Sequence, residues 1–217
     1  MNEVKRTLAG AAAAVALAVG APAEALEQGD WFGRVGVSHV APDADSDTTP
    51  NVAGGKVDVD NDTQLSFTVG YMLTPNWAVE LLGALPFEHD ITGEGSLAAL
   101  GTIGTIGSTK HLPPTLSLQY HFAPRASLRP YAGVGINYTM FFDEEHTGLL
   151  AGESLKLDDS WGIALQAGMD IDITRDWFAN LDLRWIDIET EATSSAAGTF
   201  DVEIDPWVVS VAIGRTF

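Results

Sequence analysis

The chain has 217 residues, 11 Lys and Arg against 30 Asp and Glu, and a formal net charge of −19. That balance excludes a nucleic-acid binder, which needs a basic footprint to neutralise phosphates. The absence of cysteine removes disulfide frameworks, thiolate zinc sites and thiol catalysis, and 46% hydrophobic residues are too many for a disordered chain.

Residues 1–25 read as an export signal. Lys5 and Arg6 precede an apolar run from Leu8 to Val19, and Ala23-Glu24-Ala25 fits the small-x-small cleavage rule. The run is too short to cross a bilayer as a helix, and no later stretch reaches 18 apolar residues. Residues 26–217 form a single domain on this reading.

From Trp31 the pattern alternates with period two, the signature of strands with two unlike faces. In 57–71 the odd positions run Val57, Val59 … Leu65, Phe67, Val69, Tyr71, against Asp58, Asp60, Asp62, Gln64, Ser66 and Gly70. Trp161, Ile163, Leu165 and Ala167 oppose Gly162, Ala164, Gln166 and Gly168 in the same way. Eight such segments are predicted, at 31–40, 57–73, 77–90, 112–122, 128–142, 155–173, 177–191 and 200–217. Three connections are short (74–76, 123–127, 174–176), and four are long (41–56, 91–111, 143–154, 192–199). Short turns at one end and long loops at the other describe an up-and-down antiparallel barrel.

A soluble barrel keeps its apolar face inside. Here that face carries Trp77, Trp177, Phe122 and Phe217 at the short-turn end and Trp161, Trp185, Trp207 and Tyr138 further up. Two aromatic girdles around an apolar band are what a bilayer requires of a barrel exterior. The expected fold is an eight-stranded outer-membrane barrel with short periplasmic turns and long extracellular loops.

Several stretches, in order along the chain, resemble the outer membrane protein W (OmpW) family, which includes alkane-import outer-membrane proteins. They include Asn61-Asp62-Thr63-Gln64-Leu65, Leu85-Pro86-Phe87, His111-Leu112-Pro113-Pro114-Thr115, Arg129-Pro130-Tyr131, Gly133-Val134-Gly135-Ile136-Asn137-Tyr138, Asp159-Ser160-Trp161-Gly162, Asp205-Pro206-Trp207 and the terminal Phe217. The resemblance implies an eight-stranded barrel that passes small hydrophobic molecules. The chain departs from the family at Gly214-Arg215-Thr216-Phe217, where an aromatic is common near Arg215.

With the polar face inward, Arg34, Glu80, Arg129, Asp170, Asp182 and Arg184 fall in the lower lumen. Charges of both signs in a low-dielectric space are expected to pair and to close the periplasmic end. Above them Leu82, Ala84, Pro86, Gly133, Gly135, Ala164, Ile186 and Val208 read as a small apolar ligand pocket. Pro86 lies in the third predicted strand and Pro113-Pro114 opens the fourth, so ladder donors are missing along one shared seam. A lateral opening there is one reading; prolines that merely blunt strand ends are the other.

Other constellations carry less. Asp58-Val59-Asp60-Asn61-Asp62 has Thr63 where a calcium loop needs Gly and Val69 where it needs a carboxylate, so it reads as an acidic strand top. Ser117 and His121 share a face, but their Cα atoms are expected roughly 13 Å apart, beyond reach for a catalytic pair. His89 and His111 flank the second long loop near Asp90; ordinary loop histidines are the plainer reading. The glycine-rich stretch from Gly101 to Gly107 is an apolar loop, not a phosphate loop. No cofactor, metal or catalytic group is expected. The expected partners are outer-membrane lipid and lipopolysaccharide, small hydrophobic solutes or detergent in the lumen, and the barrel assembly machinery through Phe217. A structural or interaction barrel with a filled lumen is the alternative function, and a lipid-modifying enzyme a weaker third.

Overall fold

The computed structural model describes residues 26–97, 105–147 and 150–217; the expected signal segment and residues 98–104 of the expected apolar loop lie outside these. The described chain is strand joined by turns and irregular stretches: β1 (Trp31–Ala41), β2 (Asp45–Ser46), β3 (Gly55–Val59), β4 (Asp62–Met72), β5 (Trp77–Ala84), β6 (Phe87–Gly95), β7 (Thr105–Leu112) and β8 (Thr115–His121). Then come β9 (Leu128–His146), β10 (Leu155–Leu157), β11 (Ser160–Asp172), β12 (Trp177–Ile186), β13 (Glu189–Ser194), β14 (Gly198–Glu203) and β15 (Trp207–Thr216).

Eight of these close a barrel in the order β1-β4-β5-β8-β9-β11-β12-β15, with β15 returning to β1 and every pair antiparallel. The wall has no free edge, as a bilayer demands. Its outside is apolar: Val35, Val37, Leu65, Val69, Leu81, Leu116, Val134, Ile136, Ile163 and Ile213 are all exposed. Trp31, Trp77, Phe122, Trp177 and Phe217 ring the short-turn end, and Trp161 and Trp207 stand at the other. From Trp207 to Phe217 the strand runs about 33 Å, or about 25 Å vertically at a tilt of ~40°, which matches the height of a barrel's apolar band.

The eight expected segments are all present, but most are not single strands. They break at Asp60-Asn61, Leu85-Pro86, Pro113-Pro114, Asp158-Asp159, Asp187-Ile188 and Ile204-Asp205-Pro206. Beyond the breaks the chain continues as strand where loops were expected. β3, β6 and β7 extend the wall beside the upper end of β9, and β10, β13, β14 and β2 form a second, four-stranded sheet. Gly107, expected in the apolar loop, belongs to β7.

At three breaks the inward-facing set changes parity. Ser66 and Gly70 point inward in β4, but Val57 does so in β3; Glu80 faces inward in β5, but Phe87, His89 and Ile91 do so in β6. Leu157 in β10 and Ala164 and Gln166 in β11 differ in the same way. The continuous odd-numbered face expected across 57–71 is therefore corrected. Within the bilayer apolar residues must face out, and above it they must face in, and at these three breaks the alternation meets both demands by slipping one residue at the interface.

Candidate functional site

The inside of the barrel has two storeys. The lower is a charged network. Arg34 donates two parallel bonds to Asp170, Nε to Oδ1 at 3.2 Å and Nη2 to Oδ2 at 2.9 Å, and its Nη1 to Glu80. Glu80 also accepts from Arg184 Nη2 at 3.1 Å, and Asp182 lies 3.5 Å from Arg184 Nε. Tyr131 Oη donates to Asp182 at 2.8 Å, and Asn180 donates to Tyr131 at 2.9 Å and to Asp170 at 2.8 Å. The Arg34 guanidinium lies 4.5 Å above the Phe32 ring and 5.6 Å from that of Phe178.

All six expected cluster residues are buried inside, and five of them, Arg34, Glu80, Asp170, Asp182 and Arg184, meet in this network. Arg129 instead pairs with Asp172 and stacks its guanidinium 5.4 Å from Phe178. Asp172, Tyr131, Asn180 and Gln166 were missed, although the inward parity they share with Asp170, Arg129 and Asp182 on their own strands marks them. The aromatics reach this position because glycines on neighbouring strands leave room. A Cβ on Gly70 would sit 2.0 Å from Phe32, one on Gly214 2.3 Å from Phe178, and one on Gly168 2.3 Å from Tyr131 Oη. The side chains fill the lumen, and the cavity remaining among them is about 20 Å³.

The upper storey is apolar and lies between the two extracellular sheets. Val57, Ile91, Ile106 and Phe141 on one side meet Leu157, Ile188, Ala192, Phe200, Val202 and Ile204 on the other. They surround a cavity of about 50 Å³. The apolar cavity lies higher than the pocket expected inside the membrane-spanning lumen, because the change of parity at three breaks turns the apolar residues of β3, β6 and β10 inward. None of the eight expected residues lines this cavity. Ala164, Ile186 and Val208 are buried in the same apolar cluster, with Ala84 packed against it. Leu82 instead lines the small charged cavity below. Gly133 and Gly135 back onto Gln166 and Ser117, and Pro86 is exposed.

Between the storeys the wall is interrupted. The β5–β8 ladder ends at Leu82 opposite Thr115, and the β6–β7 ladder starts at Phe87 opposite His111. Gly83–Pro86 and Leu112–Pro114 have no register partner across this join. The three expected seam prolines, Pro86, Pro113 and Pro114, border it. The carbonyls of Pro113 and Pro114 turn to β9 instead, accepting from Asn137 Nδ2 at 3.2 and 3.4 Å, and Pro114 also accepts the Tyr138 backbone N–H at 3.1 Å.

Three histidines face the upper cavity. His89 and His111 stack with ring centroids 4.8 Å apart and planes within 10°, and His146 donates or accepts at Ser194 Oγ, 2.8 Å away. Both stacked histidines lie above the upper girdle, and burial holds their pKa values down, that of His111 to about 3. Asp90 is exposed and turned from the pair, and among the described residues no three His, Asp or Glu groups converge for a metal. His121 lies lower, its Nε2 against Gln119 Oε1 at 3.3 Å.

A closed eight-stranded barrel with an apolar exterior, two aromatic girdles and a charge-filled lower lumen defines an integral outer-membrane protein. Residues 27–217 match the OmpW family model, and the chain belongs to that family. It is 45% identical over 221 residues to outer membrane protein W of Vibrio cholerae, covering 99% of this chain and all of that one. The crystal structure of OprG from Pseudomonas aeruginosa superposes with a TM-score of 0.81 at 35% identity, covering 91% of this chain and 99% of that one. The solid-state NMR structure of the outer membrane protein AlkL in DMPC bilayers gives a TM-score of 0.68 at 30% identity, covering 93% and 97%; the AlkL sequence compared is that of Ectopseudomonas oleovorans, at 31% identity. The protein resides in the outer membrane.

Proposed function

We propose that this barrel takes up small hydrophobic molecules passively, receiving them in the extracellular apolar cavity and releasing them sideways into the membrane. The observation that carries this reading is the stacking of the storeys. An apolar cavity sits above a lumen filled by three arginines and four acids, and between them lies the join at which Gly83–Pro86 and Leu112–Pro114 form no ladder pair with one another. An apolar solute cannot cross such a network without separating charges whose pairing offsets a large desolvation cost. At the level of the join its alternative is lipid.

The test is uptake of a radiolabelled medium-chain hydrocarbon by cells with and without the protein, beside a small hydrophilic solute. Faster entry of the hydrocarbon alone is expected. Faster entry of the hydrophilic solute would make the barrel an ordinary small pore, and no change in either would favour a structural barrel. The variant Ala84→Trp, which adds bulk at the join, is expected to slow hydrocarbon entry several-fold while the barrel stays folded.

A further inference from the structure

The upper cavity is not uniformly greasy. His89 Nδ1 faces the backbone carbonyl of Asp60 at 2.5 Å. A carbonyl only accepts, so Nδ1 carries the proton and Nε2 is a bare lone pair. That Nε2 is buried without a hydrogen-bond partner, and so is Nε2 of the stacked His111. The two residues are 2% and 5% exposed and both line the cavity. Neither ring serves the other, because near-parallel stacking at 4.8 Å leaves no in-plane N–H to nitrogen contact. Two orphaned polar atoms in an apolar wall each cost stability unless something fills the place beside them.

We infer that the His89–His111 pair is the polar anchor of the cavity, and that its ligands are apolar molecules bearing one hydrogen-bond-donating group, such as a medium-chain alcohol or a phenol. The inference deepens the uptake reading and rests on it. A hydroxyl suits the pair best, since it donates to the lone pair of His89 and can accept from His111. A plain alkane fills the same space and leaves both nitrogens orphaned. An ether leaves His89 Nε2 without a donor. The imidazoles are uncharged at neutral pH, so the anchor selects for a hydrogen bond and not for an anion.

The experiment uses the full barrel in phospholipid nanodiscs and measures binding of 1-octanol, 1-methoxyheptane and n-octane, each corrected for partition into empty nanodiscs. Octanol is expected to bind roughly two- to ten-fold more tightly than the ether, the range of one net hydrogen bond, and to shift the Nε2 resonance of His89. In His89→Phe the alcohol preference should vanish while octane binding persists, and that retained binding reports an intact cavity. Equal binding of alcohol and ether by the unmodified protein overturns the anchor while leaving the cavity in place, and this comparison needs no variant. A preference that survives His89→Phe also overturns it. Failure of all three probes to bind overturns the uptake reading and the anchor with it.

Discussion

Replacing Arg34 by methionine tests whether the lower lumen is held by charge balance. The network and the Arg129–Asp172 pair together hold three arginines and four carboxylates. Removing Arg34 leaves two arginines facing four acids; Asp170 loses both its guanidinium bonds, and Glu80 keeps Arg184 as its one arginine, beside Gln166. Breaking a buried pair from one side costs about 3–5 kcal/mol, and Arg34→Met belongs at the top of that range. Glu80→Gln belongs at the bottom, about 3 kcal/mol, because three arginines then face three acids and each keeps one partner. At about 1.4 kcal/mol per decade, those costs lower the folding equilibrium by roughly 10³–10⁴-fold and 10²-fold. The double variant restores the original imbalance of one negative charge, so it should be less destabilised than the sum of the single changes by about 1–3 kcal/mol. Urea titration of the barrel in lipid vesicles, followed by tryptophan fluorescence, gives all three values. Equal stability of both single variants, or strictly additive losses, would refute the balance.

Three further predictions follow from the packing. Gly70→Ala pushes a methyl onto the Phe32 ring beneath Arg34, which should cost about 1–3 kcal/mol in the same titration. The depressed pKa values of His89 and His111 mean that the unfolded chain binds protons the folded one refuses, so stability rises with pH across this window and is lost as pH falls from about 6.5 towards 3. The slope for one histidine is about 1.4 kcal/mol per pH unit; hydrogen exchange in β6 and β7 should accelerate over that range, and His111→Phe should flatten the response. Asp205 has a φ of +36° at the break before β15 and accepts the Ile188 N–H at 3.1 Å, so Asp205→Val should cost about 1–3 kcal/mol and Asp205→Gly less, measured by thermal unfolding.

The barrel was legible because its exterior pattern is strong. Leu65, Phe67 and Val69, or Ile163 and Leu165, alternate with small or polar partners, and the short turns fix which strands are neighbours. The charged network was legible for the same reason: once the apolar face is outward, Arg34, Glu80, Asp170, Asp182 and Arg184 have only the lumen left. The extracellular sheets were not. Stretches such as Thr105-Ile106-Gly107-Ser108-Thr109-Lys110 mix small and polar residues and read as loop, although they pair along most of their length with β6 and β9. The cavity was missed because Asp60-Asn61, Leu85-Pro86 and Asp158-Asp159 look like minor irregularities within one alternation, whereas each turns the chain over. Local periodicity continues on both sides of such a step, and only the surroundings on each side reveal it. The His89–His111 stack depends on strand pairing across the second long connection, which spacing along the chain does not supply.

The reversals of strand face also fix how deep the protein rides. A barrel of uniform alternation could bob outward or inward by a residue pair and still present oil to oil. Here a rise of even a few ångströms would lift Leu65 and Ile163 towards water. A fall would press the charged outer surface of the upper sheets, Asp58, Glu88 and Lys156, against acyl chains. The breaks therefore work as a waterline painted on the hull, holding the mouth of the upper cavity outside and the unpaired join at the rim of the bilayer.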